Sequence, residues 1–150
     1  MDLNLKNKKV LITGATGGIG YALVKKFVSL QSTVVATGTK IEKLDNLKKE
    51  FPNINILKFD ISDHSKIEEF IENASSKLNG IDVIINNAGI NLDNLSLRMK
   101  EDEWKKVIDI NLSSTFLLCK FGIKKMLKNK YGRIVNITSI VGHTGNLGQA

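Results

Sequence analysis

The chain has 150 residues, 42% of them hydrophobic and 25% charged, an ordinary composition for a soluble globular domain long enough to bury a core. The net charge of +7 comes almost wholly from lysines spread along helical stretches, such as Lys25, Lys26, Lys48, Lys49, Lys105, Lys106, Lys124 and Lys125; with no nucleic-acid-reading motif beside them they read as a solvated surface, or as a basic face for an acidic partner. A single cysteine, Cys119 in an apolar helical run, excludes a disulfide framework, and with no signal-peptide pattern at Met1-Asp2-Leu3-Asn4 and no apolar run of membrane-spanning length, the expected location is the cytoplasm, without a membrane or nucleic-acid partner.

Strand and helix signals alternate along the chain. Lys9–Thr13 is a β-branched run that ends in a glycine cluster, and Gly18–Leu30 then shows helical spacing through Ile19, Leu23, Phe27 and Leu30. Thr33–Thr37 reads as a second strand and Glu42–Phe51 as a second helix, stopped by the only proline, Pro52. Ile54–Phe59 is a third strand, after which Ser62-Asp63 opens a third helix with a good N-cap sequence. Asp82–Ile85 is strand four, Glu101–Leu127 a long helix, Arg133–Ile137 strand five, and Val141–Ala150 a loop. Strands that are continuously apolar, alternating with helices, predict an α/β fold, a Rossmann-like doubly wound parallel sheet of about five strands.

The loop Thr13-Gly14-Ala15-Thr16-Gly17-Gly18-Ile19-Gly20 joins strand one to helix one, the context that a dinucleotide fingerprint needs. Glycines permit a tight turn and close backbone approach to a pyrophosphate, and a helix N-terminus offers unpaired N–H groups to it. The whole loop from Gly14 to Gly20 is therefore expected to bind a cofactor. At the end of strand four, the small residues of Asn86-Asn87-Ala88-Gly89 would let a flat ring pack closely, and the asparagine amides could bond neighbouring backbone. Asp60, followed by Ile61, ends strand three, where an aspartate also serves as a turn or capping residue. Asn111 stands inside a helix, where asparagine is unfavourable and so needs a reason. Ser139 follows strand five at the edge of the sheet where ligands bind in this architecture, and strand alternation favours it over Thr138. His143 is a tempting acid, but histidines are common in loops.

These landmarks together resemble the short-chain dehydrogenase/reductase family over the whole chain. Gly14, Gly18 and Gly20 match the family's classical Gly-x-x-x-Gly-x-Gly, whereas Gly14, Gly17 and Gly20 match the Gly-x-x-Gly-x-x-Gly of its extended branch; Asn86-Asn87-Ala88-Gly89 looks like the classical one. The resemblance implies that Asp60 and the Ile61 N–H contact adenine, that Asn87, Ala88 and Gly89 flank it, that Asn111 disturbs its helix locally and holds a water, and that Ser139 binds the substrate carbonyl. The substrate-side stretches Ile90–Met99 and Gly142–Ala150 are similar to those of the family's 3-oxoacyl-(acyl-carrier-protein) reductases. That implies NADPH-dependent reduction of a 3-oxoacyl thioester in fatty-acid biosynthesis, with acyl carrier protein as partner and a homotetramer as the parent assembly. The alternatives are another short-chain alcohol or ketone oxidoreductase, or a catalytically dead nucleotide-binding remnant.

Three further expectations follow. The end of strand two, Ala36-Thr37-Gly38-Thr39-Lys40, carries no carboxylate, so Thr39 and Lys40 would accept the 2′-phosphate of NADP(H), although Gly17 stands where the family usually has an arginine. The family's catalytic Tyr-x-x-x-Lys pair is expected just beyond Ala150, and neither Tyr21 nor Tyr131 is expected to be followed by a lysine four residues on, so residues 1–150 would be the C-terminally incomplete nucleotide-binding part of a larger domain, inactive alone. Lys128, Lys130 and Arg98 are expected to form a basic rim near the active-site mouth.

Overall fold

The computed structural model describes residues 4–149; the N-terminal reading at Met1–Leu3 and the last position of the loop ending at Ala150 lie outside the described residues. Five strands, β1 (Lys9–Ile12), β2 (Thr33–Gly38), β3 (Asn55–Lys58), β4 (Val83–Asn86) and β5 (Arg133–Asn136), form one parallel sheet in the order β3-β2-β1-β4-β5. The crossovers are α1 (Gly18–Ser29), α2 (Ile41–Glu50), α3 (Ile67–Leu78) and the pair α4 (Glu101–Ile108) and α5 (Ser114–Lys128). This is the Rossmann-like α/β architecture that the alternation of apolar runs predicts.

Alternation along each strand divides the core between the two faces of the sheet. Leu11, Val35 and Ile84 point to one face and pack with Ile67, Phe70, Ile71 and Leu118 from α3 and α5. Val10, Ile12, Val34, Ala36, Val83 and Ile85 point to the other and pack with Val24 of α1 and Leu47 of α2. Both faces of β1, β2 and β4 are buried, which is why these strands carry no polar alternation. β5 lies at the edge with Val135 exposed, and on the long helical segment Leu112 and Phe116 are exposed as well.

Beyond one-residue shifts at the ends of most elements, three features differ from the sequence expectation. The predicted helix Glu101–Leu127 is interrupted by a π-turn, Asp109–Ser113, in which the Ser114 N–H reaches the Asp109 carbonyl. The third helix starts late: Ser62-Asp63 leads into a 3-10 turn, His64–Lys66, because Asp60 Oδ1 accepts from both the Ser62 N–H (3.0 Å) and the Ser62 hydroxyl (2.7 Å), closing a turn first. The loop from Val141 contains one helical turn, α6 (Val141–Thr144). Among the described residues no helix is long and apolar enough to cross a membrane.

Candidate functional site

The chain leaves β1 toward β2 and β3 on one side and returns to β4 and β5 on the other, so a crevice opens beyond the ends of β1 and β4. The glycine loop lies at its floor. Gly14 has φ +62°, and a methyl there would sit 2.8 Å from Ala88 Cα. A methyl on Gly20 would sit 2.1 Å from the Gly14 carbonyl oxygen. Gly17 and Gly18 have room: nothing lies within 4 Å of a methyl on Gly18. Gly14 and Gly20, common to both spacings, are thus required by packing, and neither middle glycine is. Helix α1 has no side-chain cap, so its first-turn N–H groups remain available to a ligand.

Thr13 and Asn87 bind the loop to the end of β4. The Thr13 hydroxyl oxygen accepts from the amides of Asn87 and Ala88, each at 3.0 Å. Asn87 Nδ2 donates to the carbonyls of Thr13 (2.9 Å) and Gly14 (3.1 Å), the backbone bonding anticipated for the asparagine amides, whereas Asn86 Nδ2 donates to a side chain, Asn136 Oδ1, at 2.8 Å. Thr13 carries no local signal that would have marked it; its role depends on β4 lying beside β1.

The resulting groove has a volume of about 670 Å³. Gly14, Thr16, Gly17, Gly18, Ile19 and Gly20 line one part of it. Thr39, Asp60 and Ile61 line a second, and Asn87, Ala88 and Gly89 a third. Ala15, expected among them, does not: its side chain is fully buried in the core and its N–H is spent on the Thr37 carbonyl at 2.8 Å. Phe59, Ser62, Ile90, Lys106 and Ile110 line the groove without having been expected there. Asp60 and Lys106 are its two ionisable lining residues, and no carboxylate faces it from the end of β2.

A second cavity of about 400 Å³ adjoins the first through Ile90, which lines both. Ser139 and Asn111 meet in it, with Trp104, Met99 and Gln149 around them; Thr138 and His143 do not line it. The Ser139 hydroxyl oxygen accepts from the Val141 N–H at 3.3 Å, and its side chain is exposed. The Asn111 amide grips one backbone unit: Oδ1 accepts from the Ile90 N–H (2.9 Å) and Nδ2 donates to the Ile90 carbonyl (2.7 Å). Its own carbonyl accepts from the Thr115 hydroxyl at 2.8 Å. The π-turn gives a mid-helix asparagine its reason, since it carries Asn111 to the loop after β4.

Residues 8–150 match the family described as short chain dehydrogenase. The chain belongs to the short-chain dehydrogenases. It is similar to the 3-oxoacyl-(acyl-carrier-protein) reductase FabG of Aquifex aeolicus, with 40% identity over 99% of this chain and 62% of the relative. The corresponding protein of Rickettsia conorii is 45% identical over 99% of this chain and 60% of its own length. Nodulation protein G of a Rhizobium species is 37% identical over 97% of this chain and 60% of its own. The chain therefore spans about 60% of the length of these curated relatives.

Two expectations for this short-chain dehydrogenase need correction. A Tyr-x-x-x-Lys spacing does occur, at Tyr21 and Lys25 in α1, but it lines neither cavity. The Tyr21 hydroxyl donates to Glu50 at the end of α2, and its ring sits 6.0 Å from that of Phe51. The hydrogen bond to Glu50 pushes the Tyr21 pKa up, the opposite of what a proton donor in catalysis needs. The basic rim also divides. Lys128 and Lys130 precede β5 whereas Ser139 follows it, so the strand's length separates them within one chain. Of the three, Arg98 alone lies on the loop between β4 and α4. Cys119, read as a core thiol, is half-buried; burial pushes its pKa up, while a hydrogen bond from Asn86 Nδ2 at 3.4 Å opposes that shift.

Proposed function

We propose that the protein reduces a 3-oxoacyl thioester carried on acyl carrier protein to the 3-hydroxyacyl form, using NADPH, in the cytoplasm. The observation that carries this reading is the junction at Ile90 between a dinucleotide-sized groove and a cavity holding Ser139 and Asn111. The groove fits the cofactor: Gly14 and Gly20 keep its floor free of side chains, and α1 supplies N–H groups for a pyrophosphate. Asp60 and the Ile61 N–H would hold adenine beside Ala88 and Gly89, and Thr39 would face the ribose phosphate. When bound, the cofactor supplies the hydride. Ser139 orients the carbonyl through its hydroxyl, and Asn111 fixes the Ile90 backbone that forms the boundary between the two spaces. The proton donor would be the family's acidified tyrosine, a role that Tyr21 does not fill.

A homotetramer is part of the same proposal, and another ketone is the rival substrate. The test is oxidation of NADPH by the purified natural protein with acetoacetyl-acyl carrier protein, against simple ketones and with NADH in parallel. Turnover of the carrier-bound thioester is expected to exceed that of any simple ketone. A preference for a simple ketone, or no turnover of the thioester, would refute the reading.

A further inference from the structure

The turn after β3 and the π-turn after α4 are joined by a polar link that the proposed mechanism does not use. Ser114, the residue that ends the π-turn, is fully buried, and its hydroxyl lies 2.7 Å from the Ile61 carbonyl oxygen. It lies 3.0 Å from the Asp109 carbonyl oxygen as well. His64, half-buried in the 3-10 turn, places Nε2 at 3.0 Å from the Ser114 hydroxyl and 3.1 Å from the Asp109 carbonyl.

Counting hydrogens assigns the donors. Ser114 has one O–H, and its shortest contact is to Ile61, so that proton goes there. Asp109 then takes its side-chain hydrogen bond from His64 Nε2–H, which also points at the free lone pair of the Ser114 oxygen. The reverse assignment, with Nε2 bare, would set two lone pairs against each other at 3.1 Å and take the donor from Ile61. The protonated Nε2 therefore completes a chain from the Ile61 carbonyl through Ser114 and His64 to Asp109.

Each end of this chain reaches a part of the proposed site. Asp60, Ile61 and Ser62 line the nucleotide groove. Asp109 opens the π-turn whose Asn111 grips Ile90, and a methyl on Gly89 would lie only 3.1 Å from Asn111 Oδ1. We propose that His64 is a positioning residue that couples the nucleotide-binding turn after β3 to the π-turn carrying Asn111, so that one side chain influences both cofactor affinity and turnover. This rests on the reading of the groove as a nicotinamide dinucleotide site.

The test compares His64→Ala and His64→Gln in the natural protein; glutamine's amide nitrogen can take the place of Nε2 as donor. Cofactor affinity is read by titration calorimetry and kcat at saturating cofactor and thioester. Hydrogen exchange is followed over the amides of residues 60–62 and 109–114. For His64→Ala, affinity and kcat are each expected to fall about fivefold, the size of one hydrogen bond. Both segments should exchange faster together, and His64→Gln should restore all three readouts. His64 sits at the surface end of the network, so the alanine variant is expected to fold, and the glutamine variant serves if it does not: its kcat and affinity must then match the parent. Unchanged affinity and kcat in His64→Ala, a loss in only one of them, or no rescue by glutamine overturns the coupling. A parent protein that binds no nicotinamide dinucleotide overturns the functional reading and the coupling with it. A parent that binds and turns over beside an unaffected variant overturns the coupling alone.

Discussion

Alanine at Gly18 and alanine at Gly20 are expected to have opposite effects on stability, although the two positions stand in the same motif. At Gly20 the new methyl meets the Gly14 carbonyl oxygen at 2.1 Å and Ala15 Cα at 2.8 Å. An ordinary carbon–oxygen contact is roughly 3.3 Å or more, so about 1 Å of retreat is needed. Neither neighbour is free to retreat. Asn87 Nδ2 holds the Gly14 carbonyl at 3.1 Å, and the Ala15 N–H bonds the Thr37 carbonyl at 2.8 Å. Overpacking costs about 1–3 kcal/mol and a lost buried hydrogen bond a similar amount, so Gly20→Ala should destabilise by roughly 3–5 kcal/mol. At Gly18 nothing lies within 4 Å, and the position is the first of helix α1. Gly18→Ala should stabilise by about 0.5–1 kcal/mol through helix propensity and a less free unfolded chain. At about 2–4 °C per kcal/mol, the melting temperature should fall by about 10 °C in Gly20→Ala and rise by about 2 °C in Gly18→Ala. Thermal unfolding followed by circular dichroism measures both. Titration with NADPH then separates packing from binding: Gly18→Ala is expected to keep the fold and lose about tenfold in affinity, or about 1.4 kcal/mol, because Gly18 lines the groove proposed to hold the pyrophosphate. Equal melting shifts in the two variants would refute the argument that tertiary contacts, rather than the motif, decide which glycine is indispensable.

Three other outcomes follow from the same geometry. NADPH should bind at least about tenfold more tightly than NADH, and Thr39→Asp should reverse that order by placing a carboxylate at the ribose; calorimetric titration with both dinucleotides would show an unchanged ratio if the end of β2 has no such role. Arg98→Glu should raise KM for an acyl-carrier-bound substrate and leave KM for a small thioester analogue unchanged; equal effects on both would remove the docking role. A polypeptide of residues 1–150 expressed alone should not oxidise NADPH with an acetoacetyl thioester, since Ser139 and Asn111 supply no titrating acid, and it should self-associate through the β5 edge and exposed Leu112 and Phe116. A soluble monomer in size-exclusion chromatography that turns over substrate would contradict both halves of that statement.

The alternation of apolar strand runs with helical spacing was enough to determine the parallel α/β sheet, because those periods arise from backbone geometry acting over a few residues. Local chemistry singled out the glycine loop and the mid-helix Asn111, whereas the roles expected of Asp60, Asn87 and Ser139 came from the family resemblance. What each of them touches was decided only by tertiary packing. Gly14 and Gly20 are required because Ala88 and the Gly14 carbonyl press on them, and Ala15 turns inward because Thr37 takes its N–H. Asn111 reaches Ile90 because a π-turn re-aims it, and Lys130 lies away from Ser139 because β5 runs between them. His64 and Ser114 meet across 50 positions of sequence, a contact that no local period encodes. A side chain's partner belongs to the packing of distant elements, and that is settled only when the sheet and its helices close on one another.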